Sequence, residues 1–172
     1  MTTPQTITSV GEGMAALANS QAVSLRPDLL ASLDWYLRHD QRVSALVDMI
    51  SPGFNPPVSI PPANGRITIA MVSNPRFMTL TGASGMGQMR VQVNCWARTP
   101  QVAAAVKEAV RHCLDGFKGL MGDHEINSAM LLDERSSEEP SPGMEQQMFY
   151  LRSVDVEFMY QETPADSVPL LI

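Results

Sequence analysis

Few residues in this sequence have the type and spacing that catalysis or metal binding needs. The three histidines, His39, His112 and His124, are far apart and show no short metal-ligand spacing. His112 falls on the polar face of a predicted helix, where a solvated imidazole is the usual case. Ser84 and Ser128 lack the GxSxG context of a nucleophile on a strand-helix turn. The pattern predicts neither a metal site nor a catalytic residue.

The segment DERSSEEP, residues 133–140, groups several carboxylates. A glycosidase-like acid/base pair needs two carboxyl groups at a fixed separation, one of them partly desolvated. Carboxylates in a segment rich in Ser and Pro are usually hydrated, so the segment is interpreted as a solvated loop. A loosely held divalent cation is the alternative.

The glycine-rich run GASGMG, residues 82–87, invites comparison with a phosphate-binding loop. A Walker loop needs Lys and Ser or Thr after its glycines, but this run continues Gln88-Met89-Arg90. The predicted strand also follows the glycines, whereas a dinucleotide fingerprint has its strand first. The run is therefore predicted to be a mobile hairpin tip, and no cofactor is expected.

The two cysteines, Cys95 and Cys113, occupy apolar-patterned positions and do not form a CxxC pair. Buried, reduced thiols are the simplest interpretation. A disulfide between the strand that carries Cys95 and the helix that carries Cys113 is the alternative.

Composition excludes several classes of protein. The 172 residues suit one domain, and the formal net charge is −6 with only 12 basic residues spread along the chain. Tight DNA binding needs clustered Lys and Arg, so it is not expected. No segment approaches the roughly 20 consecutive apolar residues of a membrane span, and the first residues lack a signal-peptide pattern.

Helical periodicity appears in two segments. RPDLLASLDWYLRHD spaces Leu29, Leu33 and Leu37 along one face, and QRVSALVDMI continues as a second short helix or a kinked extension after Asp40. The second helical segment follows Thr99, which is the predicted N-cap, and Pro100 is its first helical residue. Its apolar stripe consists of Val102, Val106, Val110, Cys113 and Phe117, while Gly116 and Gly119 supply the stop.

Strands are predicted for RITIAMV, RFMTLTG, residues 90–98, HEINSAMLLD and QMFYLRSVDVEFMYQ. Val91, Val93 and Cys95 alternate with polar neighbours, as do Val154 and Val156 further along. The other face carries Gln92, Asn94, Asp155 and Glu157, and is expected to meet water or a wet interface.

Together these elements predict an α+β fold: a two-layer sandwich with a mostly antiparallel or mixed sheet and two main helices packed on one face. We expect one domain over residues 25–161. A flexible arm is predicted for residues 1–24 and a flexible tail for 162–172. Proline-rich Ser51–Gly65 is predicted to be a long extended loop, and 134–145 an acidic loop.

Twelve methionines are unusual, and eight of them fall in or near the predicted strands: Met71, Met78, Met86, Met89, Met130, Met144, Met148 and Met159. Methionine fills irregular gaps in cores and also serves adaptable contact surfaces. Core filling is the default interpretation, and a share at subunit contacts is the alternative.

The segment RVQVNCWARTPQVAAAVKEAVRHCLDGF resembles the tail terminator (tail completion) proteins of long-tailed bacteriophages. That family has a strand of this form, a Thr/Pro entry and an Ala-rich helix ending LDG. LLASLDWYLRHDQRVSALV is similar to the family's opening helix, and YLRSVDVEFMY to its closing strand. The likeness spans residues 29–161 and consists of packing patterns rather than active-site signatures. Both ends of the chain are longer than the family core needs.

The resemblance implies a structural, non-enzymatic virion protein of the tail and neck, assembled in the host cytoplasm. Such proteins form a ring, commonly a hexamer, on the head-proximal end of the tail tube. The ring stops polymerisation of the major tail tube protein and docks the head-tail connector or stopper protein. Genomic DNA passes through the lumen without tight binding, which suits an acidic subunit, and no membrane is involved.

Candidate inter-subunit or docking residues lie in the proline-rich loop, the glycine run, the acidic loop and the tail. They are Phe54, Pro56, Pro57, Ile60, Met86, Glu138, Glu139, Leu170, Leu171 and Ile172. Another neck ring protein, of the head completion or stopper type, is the nearest alternative function. A small enzyme is the alternative of a different class, and it would require a pocket with convergent titratable groups.

Overall fold

The computed structural model of the protein describes residues 28–57, 59–60, 63–80, 82–141 and 144–161. The predicted N-terminal arm, 1–24, and the C-terminal tail, 162–172, therefore lie outside the described residues.

One mixed sheet of seven strands organises the described chain. In chain order the elements are α1 (Leu29–His39), α2 (Gln41–Ser44), β1 (Val47–Pro52), β2 (Gly65–Ser73), β3 (Arg76–Thr79), β4 (Gly82–Ala97), α3 (Pro100–Leu114), β5 (Gly119–Met121), β6 (His124–Ser141) and β7 (Met144–Gln161). The strand order is β1-β2-β4-β7-β6-β5, and β3 pairs with the first part of β4. Only β1 and β2 are parallel; the other pairs are antiparallel. The predicted α+β class is confirmed, and the finer description as a two-layer sandwich stays a prediction.

The opening helices follow the predicted pattern up to Ser44 and then depart from it. Asp28 caps α1, and the Asp40 carboxylate accepts from the amides of Arg42 and Val43 to start α2 as a separate short helix. The prediction that helical structure continues through QRVSALVDMI is wrong beyond this point, because residues 47–52 form strand β1. A parallel register with β2 fixes this strand, since Ile50 pairs with Ile67. This strand pairing overrides the helical spacing of the apolar residues in the sequence.

Helix α3 begins and ends where the sequence predicts. The Thr99 hydroxyl accepts a hydrogen bond from the amide of Val102, and Pro100 occupies the first turn. At the other end Gly116 has φ of 74°, the left-handed conformation that ends helices. Alanines at 103 and 109 are buried, so the helix axis lies close to the sheet.

The predicted packing of β4 against α3 is confirmed. Val91, Val93 and Cys95 are fully buried and share one core cluster with Val106 and Val110 of the helix. Leu29, Leu33, Leu37 and Val43 from the first two helices belong to the same cluster, as do Val154, Val156 and Phe158 of β7; Phe117 packs against it half-buried.

The prediction that the opposite sheet face meets water or a wet interface is wrong for two of the four residues named. Asn94 and Asp155 are only 1% and 2% exposed, while Gln92 and Glu157 are half-buried. Polar groups can be buried there because they bond to one another: Ser153 Oγ donates to Asn94 Oδ1 at 2.7 Å and Gln92 Nε2 to the same oxygen at 2.8 Å. A second cluster, formed by Ile60, Trp96, Phe149 and Leu151, buries the neighbouring part of this face.

Two predicted loops are strands. Residues 134–141 of the predicted acidic loop continue β6, paired with β7 up to Ser141↔Met144, and the glycine run 82–87 begins β4. Backbone pairing with long neighbours holds both segments extended despite their weak local strand propensity. The strands predicted for RITIAMV (66–72) and QMFYLRSVDVEFMYQ (147–161) lie within β2 and β7, and the strand predicted for RFMTLTG (76–82) forms as β3 over Arg76–Thr79.

We expect Thr99→Ala to lower the free energy of unfolding by about 1 kcal/mol, because the amide of Val102 loses its cap. Urea unfolding followed by circular dichroism measures the change. Thr99→Ser keeps the hydroxyl and is the matched control. Equal midpoints for wild type and Thr99→Ala would show that the cap contributes nothing.

Candidate assembly surfaces

An apolar projection extends from the end of the sheet where β2 and β3 meet β4. It consists of β3 and residues 82–87 of β4, paired with Arg76 opposite Gly87 and Met78 opposite Ala83. We call these residues, with the connecting residue Leu80, the β3–β4 finger. Among the described strands, its tip is two strands wide.

The finger exposes large apolar side chains. Phe77 is 40% exposed, Met78 73% and Leu80 fully exposed, and Met71 and Val72 at its base are each 46% exposed. Phe77 and Met78 are adjacent in β3, where the register with β4 shifts between Arg76 and Met78. Contiguous exposed apolar surface of this kind marks an interaction site.

The finger is almost uncharged. Arg76 is the single charged residue between positions 71 and 89, in a chain of net charge −6. The finger therefore adds little local electrostatic repulsion between two copies of the chain.

Tyr160 of β7 anchors the base of the finger. Its hydroxyl donates to Asn74 Oδ1 at 3.0 Å and accepts from the Arg76 guanidinium, and its ring lies against Gly87. A Cβ at position 87 would lie 2.5 Å from Tyr160 Cζ, so only glycine admits the ring. The glycine in this run thus serves packing at the base of the finger.

The structure divides the methionines between core and surface. Met89 and Met121 are fully buried, whereas Met71, Met78 and Met130 are 46%, 73% and 53% exposed. Core filling therefore applies to Met89 and Met121, and a share of the methionines at subunit contacts stays a prediction for the exposed positions.

A groove lies beside helix α1, in a separate part of the surface. It has a volume of about 380 Å³ and is lined by Ala31, Ser32, Trp35, Gly122 and Asp123. Trp35 is 54% exposed and stacks on His39 with ring centroids 4.1 Å apart. We call this site the α1 groove.

The proline-rich loop is partly a core element. Phe54 is 52% exposed, and Pro56 and Pro57 are half-buried beside a groove of about 310 Å³. Ile60 is only 1% exposed because it packs with Trp96 and Phe149. Its side chain therefore stabilises this chain and is not available at the surface.

The remaining candidate residues are scattered over the molecule. Met86 is half-buried near Asn127, whose Nδ2 lies 3.6 Å from the methionine sulfur. Glu138 is exposed and Glu139 half-buried on β6. Leu170, Leu171 and Ile172 lie outside the described residues. Among the described candidates, Met86 lies on β4 and Glu138 and Glu139 lie on β6, and their role in docking stays a prediction.

Buried charge is concentrated around Asp155. Arg90 Nη2 lies 2.5 Å and Arg135 Nη2 3.0 Å from the same carboxylate oxygen, Oδ2, while the carboxylate itself is almost completely buried. The two guanidinium groups are 39% and 57% exposed and cover it. This arrangement links β4, β6 and β7 across the second face of the sheet.

The helix α3 surface carries a further ion-pair network. Lys107 Nζ lies 2.7 Å from both Glu108 and Glu134, which ties α3 to β6. Hydrogen bonds from Lys107 and Arg111 lower the pKa of Glu108 to about 2. These side chains contribute to structure rather than to proton transfer near neutrality.

Within the described residues, no group of three or more His, Cys, Asp or Glu side chains is arranged to hold a metal ion. The described helices include none with the length and apolarity needed to cross a membrane.

Comparison with known proteins shows a likeness of fold. Neither the known protein families nor the curated proteins include a match. Among solved structures, the chain is similar to one in "Virion of native gene transfer agent (GTA) particle", at 17% identity and a TM-score of 0.55. The alignment covers 77% of this chain and 94% of that chain. At this identity the likeness establishes a shared fold.

Replacing Arg90 by Met should lower the free energy of unfolding by about 1–3 kcal/mol, because the buried Asp155 loses its closer partner. Arg135→Met should cost less, since that guanidinium is farther away and more exposed. Urea unfolding at neutral pH compares them. Arg111→Met, which removes an exposed pair with Glu108, is the control and should change stability by less than about 0.5 kcal/mol. Equal effects from all three variants would contradict a special role for Asp155.

Both native thiols should resist labelling. Cys95 and Cys113 are free and buried, and burial raises the pKa of each to about 12. Because the folded pKa is above the ordinary value of 9.0, the associated stability is present below pH 9.0 and is lost as the pH rises towards 12. A maleimide at about pH 7 should modify neither thiol in the folded chain and both in denaturant. Rapid modification of the folded chain would contradict the burial.

Proposed function

We propose that the protein is a structural virion component that forms a ring on the head-proximal end of a phage tail tube. The ring stops further addition of the major tail tube protein and presents a surface to the head-tail connector or stopper protein. The chain acts by geometry and carries out no covalent chemistry. It is a neck protein of the virion, assembled in the host cytoplasm.

The observation that carries this proposal is the likeness to a chain of a virion over 94% of that chain's length. The likeness therefore extends over nearly a complete virion subunit, not over a small shared motif. The segment of residues 90–117, which carries much of the resemblance to tail terminators, forms part of strand β4 and helix α3, and the packing of these two elements supports the proposal.

A closed ring requires two different complementary surfaces on each subunit. The described chain offers an apolar projection and a groove on separate elements, the β3–β4 finger and the α1 groove. Two tightly packed helices on one sheet face would give each subunit the rigidity of a wedge.

The acidic balance of the chain suits a pore through which DNA moves. A net charge of −6 opposes binding of the phosphate backbone, which would otherwise slow passage. The chain need only exclude tight binding, so clustered cations would work against the function.

Tube growth tests the proposal. Purified chain is added to polymerising tail tube subunits, and tube lengths are measured by electron microscopy. Sub-stoichiometric chain should bind at one end of each tube and arrest growth, because a ring blocks the site for the next subunit. An unrelated acidic protein at equal concentration is the control.

Head particles that carry the connector form a second sample in the same experiment. Binding to heads before any tube is present, together with unchanged tube growth, would contradict the terminator role and would identify a stopper or head completion protein.

A further inference from the structure

We propose that Arg38 closes the free edge of strand β1, so that copies of this chain cannot join one another by strand addition at that edge. Strand β1 has β2 as its one neighbour among the described strands. The closed edge is a property of the chain's own fold, so it does not depend on a role at a tail tube. If copies form a ring, their contacts lie on other surfaces.

An unprotected edge at β1 would be a site of association. The outward N–H and C=O groups of an edge strand can pair with a strand of another chain. The side chains of β1 give little protection, because Met49 is 45% exposed and apolar. Its single charged residue, Asp48, is paired with Arg66 at 3.3 Å. A block at this edge must therefore come from outside the strand or from its backbone.

The backbone bonds of β1 show which of its groups face the free edge. The Gly53 amide donates to the carbonyl oxygen of Ile69 on β2 at 2.8 Å, so Gly53 is turned towards β2. Successive residues of a strand direct their N–H and C=O groups to opposite sides. Pro52 therefore faces outward, and so does Ile50 two residues earlier, because the register with β2 is regular from Met49 to Pro52.

Both of these outward-facing residues have lost bonding capacity. The Arg38 guanidinium donates through Nη2 to the carbonyl oxygen of Ile50, the acceptor that an added strand would use. Pro52 has no N–H to donate. An incoming strand would have to displace Arg38, and it would still find one donor missing.

Helix α1 holds Arg38 in this position. The Asp34 carboxylate, one turn earlier, accepts from Arg38 Nε at 2.8 Å and from Nη2 at 3.0 Å. Leu33 and Leu37 are fully buried and fix the helix against the core. The planar guanidinium can bond a carboxylate and a carbonyl group at the same time, which a lysine cannot do with the same geometry. The block is thus a positioned group and not a freely moving charge.

Self-association of full-length variants tests the inference. Arg38→Met keeps an aliphatic stem and removes every donor, which leaves the Ile50 carbonyl free to accept from another chain. We expect its apparent dissociation constant for self-association to be at least about tenfold lower than that of the wild type, measured by sedimentation velocity over a range of concentrations. Hydrogen exchange should show the amides of residues 47–53 becoming protected as the concentration of this variant rises, but not in the wild type.

Three further variants control the experiment. Arg42→Met removes an arginine that pairs with Asp40 on the next helix, and it should associate as the wild type does. Met49→Lys added to Arg38→Met should reverse the association, because lysine on an edge strand opposes strand addition. Arg38→Lys keeps the stem and the charge without the planar fork, and should associate to an intermediate extent. It replaces Arg38→Met if circular dichroism shows the methionine variant to be unfolded.

Three results would overturn the inference. One is a wild-type chain whose amides at 47–53 become protected as its concentration rises. Another is an Arg38→Met variant that loses stability but associates no more than Arg42→Met, as a purely structural role would require. The third is association that leaves those amides unprotected or survives Met49→Lys. The tube-growth assay is scored separately: a wild-type chain that fails to arrest growth would refute the terminator role and leave the closed edge unaffected.

Discussion

The contact between strand β4 and helix α3 is the interaction on which the rest of the fold depends. Val91, Val93 and Cys95 have no exposed surface, and the helix meets them with Val106 and Val110. Strand β2 also lies close to this helix, because a Cβ on Gly65 would be 2.7 Å from a Val106 methyl carbon. With α3 fixed in this way, Lys107 reaches Glu134 on β6, and the β6–β7 hairpin is held at the far side of the sheet.

Away from this core, two parts of the sheet differ in the charge and polarity of their side chains. Beyond Ala129, whose backbone bonds to Gly116 and Phe117, the outer edge of β6 carries Glu134, Glu138 and Pro140. Charges and proline at an edge oppose the addition of another strand. The β3–β4 finger has no comparable set of charges and exposes apolar side chains instead. Within one sheet, the charged edge of β6 thus opposes strand addition, whereas the β3–β4 finger presents apolar surface.

Sequence periodicity identifies those elements whose faces differ in polarity. Helix α3 and the strands around Val93 and Val154 combine strict spacing with cap residues, so both type and position could be predicted. The strand over residues 134–141 could not be predicted, because its Ser and Glu residues have weak strand propensity. Pairing with β7 holds them extended. Burial of the second face of the sheet could not be predicted for a related reason. Asn94, Ser153 and Asp155 are polar by type yet buried, and each bonds to a partner distant in sequence. The methionine content indicates an adaptable surface. It cannot locate the finger, because that location depends on how β3 pairs with β4.

The pKa shifts of several described residues run away from neutrality. A general acid or base works best with a pKa near the operating pH. Here the shifts run the other way: hydrogen bonds lower the pKa of Asp40 and Glu108, and burial raises the pKa of Tyr36, Cys95 and Cys113. Each of these groups is thereby held more firmly in the protonation state that it already has near neutrality. These five groups therefore keep their charge state around neutral pH. For a subunit that is proposed to fit between neighbours, a constant shape is the functional requirement, and the buried core and the ion pairs around Asp155 and Lys107 stabilise that shape.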